Sequence, residues 1–154
     1  MNPADSEEAR RQRWLSVLAR ARPRDLERSW EAFGATPAGT WLRRPETGLV
    51  MVRGRAGGDG APFNLGEMSV TRCALRTADG RVGVGYVQGR DHAHAARVAM
   101  ADALLQDPAA HGEVMARVVE PLARLQAQRR DEARRKAAAT RVEFLTLVRG
   151  EDGE

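Results

Sequence analysis

The segment from Gly48 to Cys73, GLVMVRGRAGGDGAPFNLGEMSVTRC, holds the side chains of this sequence that are best suited to bind an anion. Its arginines carry permanently charged, planar donors that match carboxylates and phosphates. Glycines at positions 54, 57, 58 and 60 allow positive φ angles and a close approach of the backbone to a ligand. This composition favours a binding surface over a reaction centre. The candidates for anion binding or for an interface are Arg53, Arg55, Asn64, Arg72 and Arg90.

Two glycine-rich patterns resemble nucleotide-binding loops but lack essential residues. A Walker loop needs Gly-Lys-Ser/Thr at the start of a helix, whereas the glycines after Arg53 lead into Asp-Gly-Ala-Pro at positions 59–62. The pattern GVGYVQ from Gly83 fails the dinucleotide fingerprint at its last position and leads into another loop. Two interpretations of the first loop stay open. One is a nest of backbone amides that binds an anion beside Arg53 and Arg55, and the other is a flexible turn with solvated arginines.

Asp91, His92 and His94 are residue types that bind metals, but their spacing argues against a shared ion. On a helix, positions i and i+2 point to nearly opposite sides, so the two histidines cannot reach one metal. We therefore expect Asp91 to cap the N-terminus of a helix and both histidines to lie on the surface. No metal site is predicted.

Catalytic groups are equally hard to assemble. Cys73 has no neighbouring base, and a lone cysteine in a strand is more often a small buried hydrophobe. Glu46 and Glu67 lie near the basic segment, where structural ion pairs are the expected role. The sequence also does not indicate a catalytic triad of serine, histidine and an acid. We therefore predict no catalytic residues in this chain.

The composition describes a small basic protein of 154 residues with 25 basic and 21 acidic residues. Residues 41–90 hold eight arginines and four acids, whereas residues 141–154 hold two arginines and four acids. A single cysteine and the lack of a signal peptide or a membrane-length apolar run predict a cytoplasmic protein without membrane contact. A nucleic-acid-binding module is an alternative that the basic middle would fit. It is weaker, because only Tyr86 supplies an aromatic side chain in the central strands.

The periodicity of apolar residues predicts an α+β fold. We expect a small antiparallel sheet of about three to four strands packed against an N-terminal helical hairpin and C-terminal helices. The chain should form a single domain, 1–154, whose first helix is capped by Asp5. In order, the expected segments are a disordered lead (1–5), a helical hairpin (6–34), a loop (36–45), a strand region (48–89), helices (91–139) and a terminal strand (141–149).

The strand region carries several local expectations. The continuously apolar run from Leu49 to Val52 predicts a strand covered on both faces. A change of phase near Arg72 predicts a bulge, and Asp79-Gly80 predicts a type I′ hairpin turn. Gly83 and Gly85 leave one face of the next strand bare, so a helix or another backbone should approach closely there.

The helical region carries two further expectations. Pro121 should either kink the long last helix or divide it. The helix that follows Asp91 should bury one stripe of small and apolar residues, which are Ala96, Ala99, Met100, Ala103 and Leu104.

Several long blocks of this sequence resemble a known family. They are the segment from Gly48 to Cys73, GYVQGRDHAHA at Gly85 to Ala95, DALLQ at Asp102 to Gln106, and TRVEFLTLVRGE at Thr140 to Glu151. Together these colinear blocks resemble the G subunit of the bacterial carbon-phosphorus lyase core complex, and the likeness covers nearly the whole chain. The helical stretch from His111 to Ala139 carries the least recognisable signature.

The resemblance implies a role in phosphonate metabolism, as an accessory subunit of an enzyme complex. In that family the G subunit assembles with the H, I and J subunits. Together with the L component, the G, H and I subunits support the transfer of a ribose 5-triphosphate unit from MgATP to an alkylphosphonate, with release of adenine. The glycosyl transfer is assigned to the I subunit, and no catalytic residue is known for G subunits. The resemblance therefore implies that MgATP is a substrate of the complex and that this chain alone binds no cofactor.

Overall fold

The computed structural model of the protein describes residues 6–139. A short 3₁₀ turn at Ala56–Gly58 joins the first two strands, and a π-helical turn at Met115–Val119 joins the last two helices. The predicted lead (1–5) and terminal strand (141–149) lie outside the described residues. The elements are α1 (Glu7–Arg20), α2 (Pro23–Phe33), β1 (Gly39–Arg55), β2 (Pro62–Thr77), β3 (Val82–Gln88), α3 (His92–Leu105), α4 (Pro108–Val114) and α5 (Glu120–Ala139).

The N-terminal helical hairpin is confirmed, with one correction at its first cap. Ser6, rather than the expected Asp5, is the N-cap of α1, and its Oγ accepts a hydrogen bond from the Ala9 amide at 3.1 Å. Pro23 begins α2, and Gly34 ends it with a φ of 75°. The hairpin joins the core through five buried side chains, which are Trp14, Leu18, Ala21, Leu26 and Trp30.

The sheet is antiparallel with strand order β1-β2-β3, which confirms the α+β fold class. The predicted loop 36–45 is wrong, because β1 begins at Gly39, where it pairs with Thr77 of β2. From Trp41 to Glu46 β1 takes five residue steps, while their partners from Leu75 to Arg72 take three. The bulge expected near Arg72 therefore lies in β1 and not in β2. Pro45 sits in this irregular segment, where its missing N–H is tolerated.

The turn between β2 and β3 is a hairpin, as predicted, but it is not of type I′. A type I′ turn requires positive φ at both central residues, whereas Gly80 has a φ of 89° and Asp79 does not have a positive φ. The Gly80 amide donates to the Thr77 carbonyl at 3.0 Å, and the Thr77 amide donates to the Arg81 carbonyl at 2.9 Å. These contacts describe a tight turn followed by a left-handed glycine, which is the usual three-residue hairpin loop.

Helix α3 packs directly on the glycine face of β3, as the sequence predicted. A Cβ atom on Gly83 would lie 2.0 Å from the Ala99 carbonyl oxygen, and one on Gly85 would lie 2.1 Å from the Ala95 carbonyl oxygen. This close approach rotates the helix relative to the expected stripe. Of that stripe, Ala99 and Ala103 are buried, while Ala96, Met100 and Leu104 are only partly buried. The central positions belong instead to Ala95, Val98 and Asp102.

We expect Gly85→Ala to lower the free energy of unfolding by about 1–3 kcal/mol, because the new methyl group would force helix and strand apart. Gly48→Ala is the matched control, since a Cβ there meets no atom within 4 Å and Gly48 has no positive φ. Its effect should stay within about 0.5 kcal/mol. Urea unfolding of both variants measures the difference, and equal stabilities would contradict the packing described here.

Pro121 neither ends nor divides the helical region. The π-helical turn Met115–Val119 ends two residues before it, and α5, which begins at Glu120, runs on without interruption to Ala139. A proline removes one backbone donor and crowds the carbonyl one turn earlier, so the wider turn accommodates the ring. Within residues 6–139, no helix has the length and apolar character needed to cross a membrane.

Candidate interaction surface

Strands β1 and β2 continue beyond the three-stranded part of the sheet as a two-stranded ribbon, defined here as residues 49–69. β3 pairs with β2 only from Val70 to Arg76, so Pro62 to Ser69 of β2 has β1 as its only partner strand in the described chain. At the usual rise per strand residue, this part of the ribbon is about 25 Å long. The ribbon is therefore a projection from the body of the protein.

The ribbon carries four of the most exposed large apolar side chains in residues 6–139. Their exposed fractions are 61% for Leu49, 55% for Met51, 46% for Phe63 and 66% for Leu65. Leu49 and Met51 lie on one face of the ribbon, whereas Phe63 and Leu65 lie on the opposite face, beside Gly54. Exposed large apolar side chains gathered in one region of the surface are typical of interaction sites. The expectation that the Leu49 to Val52 strand is covered on both faces is thus wrong for the described chain.

Leu49 and Met51 are exposed because helix α3, which covers their side of the sheet, begins beside the base of the ribbon. Leu49 and Met51 lie on the same side of the strands as Thr71 and Cys73, which α3 covers in the body of the protein. His92 is the first residue of α3, and its Nε2 lies 3.0 Å from Thr47 Oγ1. The helical layer therefore stops where the ribbon begins.

A chain of hydroxyl groups fixes the base of the ribbon. The buried Thr71 hydroxyl donates to the Gly89 carbonyl at 2.8 Å, so its oxygen can accept from Thr47 Oγ1, 3.2 Å away. Thr47 Oγ1 in turn accepts from His92 Nε2. This order assigns the Nε2–H tautomer to His92 and ties β1, β2 and the start of α3 together.

The five arginine and asparagine candidates occupy three different places. Arg53 and Asn64 are paired across the ribbon, and Arg55 Nη1 donates to the Gly60 carbonyl at 3.0 Å within the turn. Arg72 lies eight residues along β2 from Asn64, about 27 Å away at strand spacing. Arg90 follows the end of β3. The structure therefore brings Arg53, Arg55 and Asn64 together and does not bring Arg72 or Arg90 to them.

The acids near the basic segment behave differently from one another. Glu46 Oε1 accepts from Arg43 Nη1 at 2.9 Å and from Arg72 Nε at 3.0 Å, which is the ion pairing that the sequence suggested. Both partners are about half exposed, so the pairs contribute little stability. Glu67 forms no ion pair within residues 6–139.

The histidines expected on the surface are separated by the fold. His92 is exposed, but His94 is only 4% exposed, and its Nε2 lies 2.9 Å from the Leu18 carbonyl oxygen. The prediction of a surface position is therefore wrong for His94, which joins α3 to α1. Asp91 caps α3 as expected, accepting from the His94 amide at 2.8 Å. In the described part of the chain, no group of three or more metal-binding side chains is present.

Sequence reasoning missed a buried carboxylate cluster around Asp102, whose side chain is fully buried. Its oxygens accept from Arg11 Nη2 at 2.7 Å, from Trp14 Nε1 at 2.9 Å and from the Val84 amide at 2.9 Å. The available signal was an acid at helical spacing from Ala95 and Ala99, within an otherwise apolar face. The cluster holds α1, β3 and α3 together.

Cys73 is buried, as expected, and its Sγ donates to the Ala95 carbonyl at 3.2 Å. Desolvation raises the pKa of its thiol from 9.0 to about 11, although a backbone hydrogen bond from Gly85 acts in the opposite direction. The unfolded chain therefore ionises at a lower pH than the folded chain. As pH rises from about 9 to about 11, the thiol should progressively lower the stability of the protein.

We expect Cys73 to react with iodoacetamide at pH 8 at least 100-fold more slowly in the folded protein than in urea. The thiolate fraction falls from roughly a tenth to roughly a thousandth when the pKa rises from 9.0 to about 11, and burial slows access further. Because this is the only cysteine, mass spectrometry assigns all alkylation to it. Similar rates in the two states would contradict this burial.

The fold and the surface together define a class of protein, an α+β subunit whose projecting apolar ribbon is suited to a larger assembly. The chain belongs to the family of the phosphonate metabolism protein PhnG, whose model matches residues 9–150. It is similar to the alpha-D-ribose 1-methylphosphonate 5-triphosphate synthase subunit PhnG of Rhizobium meliloti (strain 1021). The two are 46% identical over 148 residues, which cover 96% of this chain and 94% of the relative. The resemblance to the G subunit is confirmed.

Proposed function

We propose that this chain is an accessory subunit of a complex that transfers a ribose 5-triphosphate unit from MgATP to an alkylphosphonate and releases adenine. Its partners in this proposal are the H, I and J subunits, with the L component acting in the same reaction. The reaction takes place in the cytoplasm, and MgATP is a substrate of the complex rather than a cofactor of this chain. The relative from Rhizobium meliloti (strain 1021) is named as a synthase subunit, which supports the assignment.

The observation that carries the proposal is the exposed apolar ribbon. Each large apolar side chain contributes roughly 1.5–3 kcal/mol when it moves from water into a packed environment. Leu49, Met51, Phe63 and Leu65 together supply a driving force for association that the described chain leaves unused. The primary role of this subunit is therefore to dock and shape its partners, which provide the reacting groups.

The arginines near the end of the ribbon have two roles to distinguish. Arg53 and Arg55 either pair with carboxylates of a partner or help to hold the triphosphate. The first role is favoured, because both arginines follow the exposed apolar residues Leu49 and Met51 on β1. Arginine is also enriched at the centres of protein interfaces.

The test is adenine release by the co-expressed G, H, I and J subunits with L added. For Arg53→Ala and Arg55→Ala, loss of the complex on gel filtration indicates the interface role, and an intact complex with a raised KM for ATP indicates the substrate role. Arg76→Ala, an exposed arginine on the body of the protein, is the matched control. A chain that fails to co-purify with the other subunits, or whose removal leaves adenine release unchanged, would contradict the proposed function.

A further inference from the structure

The two outer edges of the sheet differ sharply in how their backbone groups are satisfied. On β3, the Val84 amide donates to Asp102 Oδ2 at 2.9 Å. The Val82 carbonyl accepts from Arg11 Nη2 and from Gln106 Nε2, each at 2.9 Å. Side chains of α1 and α3 therefore cap this edge, which is one of the ways in which proteins prevent unwanted strand pairing.

The opposite edge belongs to β1, and the pairing pattern shows which of its groups point outward. The Gly89 amide donates to the Ser69 carbonyl at 2.8 Å, so odd-numbered residues of β2 bond toward β3 and even-numbered residues bond toward β1. Even-numbered β2 residues pair with the even-numbered residues of β1 between Glu46 and Val52. The N–H and C=O groups that point away from the sheet are therefore those of Thr47, Leu49 and Met51.

This part of β1 lacks the usual protection of an edge strand. The register from Glu46 to Val52 is regular, and the bulges and Pro45 lie on either side of it. Within residues 6–139, no hydrogen bond reaches the outward backbone groups of Thr47, Leu49 or Met51. A long, regular and apolar edge strand is a template for pairing with another chain.

We propose that the β1 edge from Glu46 to Val52 accepts a β-strand from another subunit of the complex, which extends the sheet across the subunit boundary. This inference rests on the proposed function and names the means of docking. The added strand forms backbone hydrogen bonds with the three outward residues of β1. Neighbouring layers of the partner then cover both faces of the ribbon, as the apolar run from Leu49 to Val52 requires.

Charge defines the chemistry of the incoming strand. The segment from Glu46 to Val52 is preceded by Arg43 and Arg44 and followed by Arg53 and Arg55. The Glu46 carboxylate already forms ion pairs with Arg43 and Arg72. The matching strand therefore has an apolar centre and carboxylates at both ends. A second copy of this chain does not match, because antiparallel pairing of two β1 strands would place arginines opposite arginines.

Hydrogen exchange, read residue by residue by mass spectrometry, tests the proposal in the isolated chain and in the complex with co-expressed H, I and J subunits. The amides of Thr47, Leu49 and Met51 should exchange rapidly in the isolated chain and at least 100-fold more slowly in the complex. The amides of Gly48 and Val50, which bond to β2, are the internal control and should exchange slowly in both samples.

A pair of variants separates backbone pairing from side-chain contact. Met51→Pro removes an outward amide that the sheet does not use, so the isolated chain should keep its fold while co-purification falls at least tenfold. Met51→Thr keeps the amide and loses only the side-chain contact, so its co-purification should fall clearly less than that of Met51→Pro. Equal losses for the two variants would show that only the side chain matters and would overturn strand addition.

The remaining outcomes are distinct from one another. Failure to co-purify with H, I and J contradicts both this inference and the proposed function. Co-purification with rapid exchange at Thr47, Leu49 and Met51 overturns strand addition alone. Slow exchange of these amides in the isolated chain also overturns strand addition by a partner. Two controls then identify the segment that pairs with the β1 edge. Loss of protection after truncation at Ala139 identifies residues 140–154, and concentration-dependent protection identifies a second copy.

Discussion

Replacing Asp102 by Ala is expected to lower the free energy of unfolding by about 3–5 kcal/mol, a large part of the stability of a domain of this size. The fully buried carboxylate accepts from Arg11, from the indole of Trp14 and from the Val84 amide. Its removal leaves donors on α1 and β3 without this acceptor, and the loss is costly for a buried donor such as the Trp14 indole. The variant should unfold at a much lower urea concentration, or should fail to accumulate at 37 °C.

Two further variants make the Asp102 result specific. Asp102→Asn keeps the shape and one acceptor oxygen, so we expect it to lose less stability than the alanine variant. Glu113→Ala removes an acid whose only ion pair in the described chain, with Arg117 at 2.8 Å, is solvent-exposed. Its effect should stay within about 0.5 kcal/mol. If Asp102→Ala were no more destabilising than Glu113→Ala, the cluster would have no structural role.

The double substitution Leu49→Asp with Met51→Asp is expected to weaken association with the partner subunits at least 100-fold. Burial of an unpaired carboxylate in an apolar interface is strongly unfavourable, and the change also removes two apolar contacts. Because both side chains are more than half exposed in the isolated chain, its own stability should change little. Co-purification with tagged partners measures the first effect, and thermal unfolding of the isolated chain measures the second.

Leu125→Asp is the matched control for the ribbon variant. Leu125 is also an exposed leucine, at 36%, but it lies on α5, away from the ribbon. We expect this variant to retain association with the partners. Equal binding by the ribbon variant and the unmodified chain would locate the interface elsewhere, and a loss shared with Leu125→Asp would indicate a general effect of added charge.

The features that the sequence predicted correctly depend on short-range chemistry. The stop at Gly34, the cap at Asp91 and the close approach of a helix to Gly83 and Gly85 each follow from one residue and its neighbours. Such local requirements can be read before the tertiary structure is known. The beginning of β1 at Gly39 could not be read in this way, because its partner Thr77 is far along the chain and pairing overrides the loop-like composition.

The candidate site was predictable in part for a similar reason. Arg53 and Asn64 lie together because the turn between β1 and β2 reverses the direction of the chain, and the glycines in the sequence predict that turn. Arg72 belongs to the same sequence segment but lies far away, because extended strands separate residues by about 3.4 Å each. The run from Leu49 to Val52 was read as covered on both faces, and that covering layer is absent from the described chain. In the proposed strand addition, a partner subunit supplies that layer.

The cluster around Asp102 also has a consequence for the order in which the chain acquires its structure during synthesis. Trp14 and Arg11 leave the ribosome 88 and 91 residues before the carboxylate that holds them. At roughly 5–20 residues per second, α1 waits for about 4–18 s before its anchor exists. Helix α1 is therefore synthesised well before the carboxylate that anchors it to β3 and α3.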